Sequence, residues 1–131
     1  MAVKKITAVL LADRIEPCVK FWVEQLGFEK TVEVPEGDKL AFASLQKGPV
    51  ELMYQTYSSV ESDDHSHKGF TKGPTFLFVE VENLDETIRA VNGAEVVMPV
   101  RITFYGSREI GVTDPAGHYL TFAQMNVAPQ K

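Results

Sequence analysis

The sequence predicts an α+β fold built from two βαβββ modules that pair. Three observations predict it. Short extended runs, apolar or alternating, recur along the 131 residues. Two amphipathic helical segments interrupt them, each following the first run of its half. The helical segments also repeat: IEPCVKF (Ile15–Phe21) lies over LDETIRA (Leu84–Ala90), with Ile15 matching Leu84, Val19 matching Ile88 and Lys20 matching Arg89. A half of about 60 residues buries a poor core alone, so the halves are expected to share one domain. The first module spans 3–56, a polar connector 57–72 and the second module 73–126.

Each element follows from local chemistry. Lys5–Ala12 (KITAVLLA) is rich enough in Ile, Val and Leu for a buried strand. Asp13 and Glu16 have capping-box spacing, and Pro17 suits a first helical turn, where its missing N–H is no loss. Val19, Phe21, Trp22 and Leu26 recur at helical period, and Gly27 supplies the stop. Lys30–Val34 is the next strand. Lys39–Leu45 and Val50–Gln55 flank a Gly-Pro turn as a hairpin. Thr56–Lys72 is polar, with few core formers, and reads as an arm. Pro74–Val81 then begins the second module as a strand. Asn83 and Glu86 repeat the capping-box spacing, Leu84, Ile88 and Val91 make a helical stripe, and Asn92-Gly93 ends it. Ala94–Val97 and Val100–Phe104 are extended, and Arg108–Thr113 and Tyr119–Gln124 flank the DPAG turn as a last hairpin.

The totals exclude several classes. Apolar residues are 44% and charged residues 24%, an ordinary globular balance. No apolar run approaches the length of a membrane helix. MAVKKITAVLLAD resembles a leader only briefly: Asp13 and Arg14 follow the short apolar run at once, so no signal peptide is expected. A single cysteine, Cys18, excludes an intramolecular disulfide and suits the cytoplasm, and its place among core formers suggests a buried thiol. A net charge of −5 argues against a general nucleic-acid or anionic-membrane surface.

Two motifs carry a resemblance. Phe21-Trp22-x₃-Leu26-Gly27-Phe28 is similar to an FY-x₃-LGF helix end, and Asp114-Pro115-Ala116-Gly117-His118-Tyr119-Leu120-Thr121-Phe122 to a DP-x-G-x-x-L-x-F hairpin. Both, in order and on a repeat, resemble the glyoxalase / bleomycin-resistance / extradiol-dioxygenase superfamily, the vicinal oxygen chelate proteins, over nearly the whole chain. The resemblance implies curved sheets that wrap a cupped pocket, helices outside and a homodimer, with modules closing within a chain or swapping between chains. It also implies four positions that hold a metal in metal-dependent members: here Thr7, Glu51, Phe76 and Thr121. Only Glu51 is a usable ligand, so no metal and no other cofactor is expected.

Strand alternation then sorts the faces. With Leu10, Leu77, Val79, Leu120 and Phe122 towards the helices, Thr7, Val9, Glu51, Met53, Phe76, Phe78, Tyr119 and Thr121 face the cup. Arg108 or Ile110 is expected near Thr121, the resemblance implies an aromatic at the pocket edge, here Tyr105, and Trp22 joins the ligand-binding set. The DPAG turn has a geometric job, with Asp114 bonding the backbone ahead of it, and His118 is expected at the sheet rim. Glu51 would be paired with Arg108 or Arg101, or would hold a cationic group on a ligand. The leading function is a metal-free binder of a small apolar or aromatic compound, antibiotic-like in the manner of bleomycin-resistance proteins. The rivals are a lyase, isomerase or dioxygenase using Glu51 as base or ligand, with His65 or His67 completing a metal, and a partner-binding module using the 58–72 arm.

Overall fold

The computed structural model describes residues 1–63 and 72–127. The chain divides into two compact units, Met1–Lys72 and Gly73–Lys131. Each holds a four-stranded mixed sheet with at least one helix of its own, the α+β architecture read from the sequence.

The first unit runs β1 (Val9–Ala12), α1 (Glu16–Lys20), a π-helical turn (Phe21–Gln25), β2 (Glu29–Glu36), β3 (Lys39–Lys47), β4 (Val50–Thr56) and α2 (Tyr57–Asp63). Its sheet order is β1-β4-β3-β2, with β1 parallel to β4 and the other pairs antiparallel. The expected capping box is not formed. Ile15 is the N-cap and provides no side-chain bond, while Glu16 turns to accept the Leu40 N–H at 2.7 Å. Pro17 does occupy the first turn. The π-turn puts both Phe21 and Trp22 inward, because the wider turn separates successive side chains by a smaller angle. Leu10, Leu45 and Tyr54 complete that core from the sheet. The helix α2 replaces the expected irregular arm over its first seven residues. Its start is closed by Thr56 Oγ1, which accepts the Ser59 N–H at 3.1 Å, and by Gln55 donating to Ser59 Oγ.

The second unit runs β5 (Phe76–Glu80), α3 (Leu84–Ala90), β6 (Val96–Ile102), β7 (Ser107–Thr113) and β8 (Tyr119–Met125). Its sheet order β5-β8-β7-β6 repeats the first, again with one parallel pair, β5 with β8. Asn83 caps α3 through the Glu86 N–H at 3.1 Å, and Gln124 Oε1 accepts the Leu84 N–H at 2.9 Å. Leu84, Thr87 and Val91 turn one buried stripe to the sheet, where Ile110, Val112, Leu120 and Phe122 meet it. The two extended runs on either side of Met98-Pro99 form a single strand with register shifts.

The DPAG turn ties β7 to β8. Asp114 Oδ1 accepts the N–H groups of Ala116 and His118 at 3.0 and 2.8 Å, and Gly117 takes φ +87°, which a side chain rarely adopts. His118 lies inside rather than at the rim: it is buried, and its Nδ1 accepts the Thr75 N–H at 2.8 Å. The turn thus fixes β5 to β8 as well as β7 to β8.

Candidate functional site

Burial alternates along β1, β4, β5 and the first half of β8. In the first unit, Leu10, Ala43, Leu45, Leu52 and Tyr54 are buried towards the helices, whereas Val9 is exposed and Thr7, Glu51 and Met53 are half-buried on the opposite, helix-free face. Val9 pairs with Met53, so Thr7 and Glu51 fall in one row, two residues back. The strand itself begins at Val9, later than expected, although the Met53 N–H still reaches the Ala8 carbonyl. Glu51 does find a cation, but it is Lys5, at 3.0 Å. Arg101 and Arg108, the expected partners, are engaged elsewhere, with Glu109 and Asp85.

The second unit carries the larger aromatic surface. Phe76 and Phe78 project from β5 on the helix-free face and are 75% and 57% exposed. Phe76 stacks on Tyr119, with centroids 4.7 Å apart and planes 16° from parallel. Thr121 is half-buried beside Phe78, its register partner on β5. Across β7, the residue opposite Thr121 is Gly111, not Arg108 or Ile110. Thr113 pairs with Tyr119, and counting back two residues on one strand and forward two on the other fixes that match. Gly111 makes room for Met98, since a Cβ there would stand 2.8 Å from Met98 Cβ. Arg108 lies on the other face and pairs with Asp85 of α3 at 2.9 Å, so it does not join the helix-free surface. Trp22 does not join it either: it is 2% exposed, donates to the Tyr54 hydroxyl at 2.8 Å and meets Phe21 and Phe28 edge-on.

Glu109 is a site group that the sequence pattern does not single out. Glu109 shares the face of Gly111 and Thr121 and has no exposed surface. Ser107 Oγ donates to it at 2.6 Å, the Tyr105 hydroxyl at 2.5 Å and Arg101 Nη2 at 3.1 Å. Burial pushes the Glu109 carboxyl up, but the Ser107, Tyr105 and Arg101 donors together outweigh it and hold it below the usual carboxylate range. The signal was the same hairpin count: with Gly111 opposite Thr121, Glu109 must share that face.

A second polar feature lies where β1 and β4 end. Asp13, Arg14, Glu16, Lys39 and Thr56 line a cleft of about 150 Å³. Its volume is below the several hundred Å³ of a typical organic-ligand site. The Leu40 N–H holds Glu16 below the usual carboxylate range.

The four positions that the resemblance implies for a metal carry poor donors, each taken by itself. Phe76 has no donor atom, Thr7 and Thr121 offer poor ones, and Glu51 is ion-paired. Among the described residues no group of three or more His, Cys, Asp or Glu side chains could hold a metal ion. His65 and His67 lie outside the described residues. No helix among the described residues is long and apolar enough to cross a membrane.

Solved structures share this fold. TioX from Micromonospora sp. ML1 superposes with a TM-score of 0.76 at 20% identity, covering 94% of this chain and 99% of that one. A lactoylglutathione lyase from Agrobacterium tumefaciens gives 0.72 at 15% identity, covering 94% of each chain. A glyoxalase/bleomycin resistance protein/dioxygenase family enzyme from Burkholderia phytofirmans PsJN gives 0.71 at 16%, covering 91% and 96%. No functionally curated protein matches the sequence. A family model matches residues 6–122, and the chain belongs to the Glyoxalase/Bleomycin resistance protein/Dioxygenase superfamily.

Proposed function

We propose that the protein binds a small, planar, largely apolar compound on the helix-free face of its second module, without a metal at the family positions. The carrying observation is the pair Phe76 and Phe78, large aromatic rings left exposed on a sheet face, one of them already stacked on Tyr119. Clustered exposed aromatics mark ligand or partner surfaces more often than idle ones. The donor set supports the metal-free half of the reading, since three of the four positions carry Thr7, Phe76 and Thr121. An enzymatic role for Glu51 as base is less well supported, because its carboxylate is engaged by Lys5.

Calorimetric titration with a panel of planar aromatic compounds tests this. Phe76→Ala and Phe78→Ala should each weaken binding about tenfold, the scale of one lost aromatic contact. Both should melt near the wild-type temperature, because neither ring is buried in a core. Protein that retains stoichiometric Zn²⁺, Ni²⁺ or Fe²⁺ after dialysis would overturn the reading.

We also carry over a homodimer from the family, and a cytoplasmic location from the single cysteine, Cys18. The second strand of the first sheet and the first strand after α3 are both edges, and Val32, Val34, Val96 and Ile102 on them are exposed. Sedimentation should therefore give about twice the 14.6 kDa chain mass, and a monomer at all concentrations would exclude the dimer.

A further inference from the structure

The aromatic surface ends in a charged row. On the helix-free face of the second sheet, Met98, Gly111, Thr121 and Phe78 lie in neighbouring register across the four strands. Two residues further along β7 comes Glu109, with Arg101 opposite it on β6 and Ala123 opposite it on β8. Two residues of strand are about 7 Å and the three strand spacings from β5 to β6 about 14 Å, so Arg101 and Phe78 stand about 16 Å apart at the backbone, a span that their two long side chains and one bicyclic acid lying over Thr121 and Gly111 can bridge. Glu80, also exposed, sits on the same row but at β5, three strands from Arg101 and so about 14 Å away.

The two charges in the row are not equivalent. Glu109 is enclosed and its oxygens are taken up by Ser107, Tyr105 and Arg101, which leaves no room for a ligand cation. Arg101 is the reverse case: its side chain is 53% exposed, and Glu109 uses one of its terminal nitrogens. A guanidinium carries five N–H donors in a rigid fork, so most of them remain for another acceptor. The tether to a buried carboxylate restricts the arginine before any ligand arrives, which reduces the entropy lost on binding. Tyr105, bonded to the same carboxylate and half-exposed, is held next to it.

From this arrangement we propose that the ligand of the aromatic face bears an acidic group, a carboxylate or similar planar oxyanion, which Arg101 receives. Glu109 is the positioning residue that aims Arg101. The inference rests on the aromatic-face reading above and reverses the charge first expected from Glu51. The chain's net charge of −5 opposes an anion only weakly at physiological salt, where screening acts within about 8 Å.

Three matched probes test it by calorimetry on the full chain: 2-naphthoate, 2-naphthamide and 2-naphthylmethylammonium. The carboxylate should bind about tenfold more tightly than the amide, the scale of a charge-assisted bond at a half-exposed site, and the ammonium no more tightly than the amide. Arg101→Met should close the gap between carboxylate and amide, and Arg101→Lys should restore part of it. Equal affinity for all three probes, or preference for the ammonium, with Phe78→Ala still weakening each, overturns the acidic-ligand proposal and leaves the aromatic face standing. A carboxylate preference that survives Arg101→Met also overturns it. Binding of none of the three overturns both readings. The comparison among probes on unaltered protein decides the matter even where a variant folds poorly.

Discussion

Glu109→Ala is expected to lower the unfolding free energy by about 3 kcal/mol, and Glu109→Gln by about 1 kcal/mol. The alanine variant removes an acceptor that three donors share and leaves a void where a fully buried side chain stood. The donors do not suffer equally. Tyr105 and Arg101 are half-exposed and regain water, so their share is discounted. Ser107 is buried, and it keeps a 2.7 Å contact with Thr103 Oγ1, which softens its loss. Glutamine keeps the shape and one acceptor but sets an amide NH₂ against one of the donors. Urea unfolding of the three proteins measures the difference. Equal midpoints for Glu109→Ala and wild type would sink the claim that this network stabilises the second module.

The same carboxylate sets a pH dependence. Its folded-state pKa lies below the ordinary value of 4.5, so the unfolded chain binds the proton more readily. Its contribution is therefore present above about pH 4.5 and is lost as pH falls through the folded value. Glu16, lowered chiefly by the Leu40 N–H, behaves alike in the first module. Stability measured from neutral pH down to about pH 3 should fall more steeply for wild type than for Glu109→Gln.

Periodicity and alternation are local, and what depends on them was readable. The βαβββ repeat, the burial of Leu10, Leu120 and Phe122, and the outward turn of Phe76 and Phe78 all follow from patterns a few residues long. What was not readable depended on partners from elsewhere. Glu109 reads as a solvent-facing charge until Ser107, Tyr105 and Arg101 fold around it. Placing Ile110 opposite Thr121 sets β7 one residue out of register, and with period-2 alternation one residue exchanges the faces, which brings Arg108 into the expected site and hides Glu109. The helix α2 has no apolar stripe to announce it; the Thr56 and Gln55 side chains that close its start belong to the preceding strand. Asp13 did not cap α1 because Ile15, two residues later, begins it.

Trp22→Ala should be the most damaging single change, costing about 4 kcal/mol, within the range for a truncated core aromatic. The residue belongs to a motif aromatic pair that suggested a ligand contact, and the two roles predict opposite outcomes. As a core residue, Trp22 fills the space between the π-turn and the sheet, meets Phe21 at 5.8 Å and Phe28 at 5.0 Å, and donates to the buried Tyr54 hydroxyl. Truncation opens a cavity that a rigid sheet cannot close and deprives Tyr54 of that donor. Trp22→Phe should cost less, about 2 kcal/mol, because most of the ring volume stays and the indole N–H is lost. Since Trp22 is the single tryptophan, unfolding must be followed by circular dichroism rather than by its emission. Phe78→Ala supplies the contrast, with affinity falling and stability holding. A Trp22→Ala protein that unfolds at the wild-type midpoint yet no longer binds aromatic probes would move the ligand from the second module's sheet to the first module's helix. Its burial at 2% exposure argues that the loss will appear in the unfolding curve.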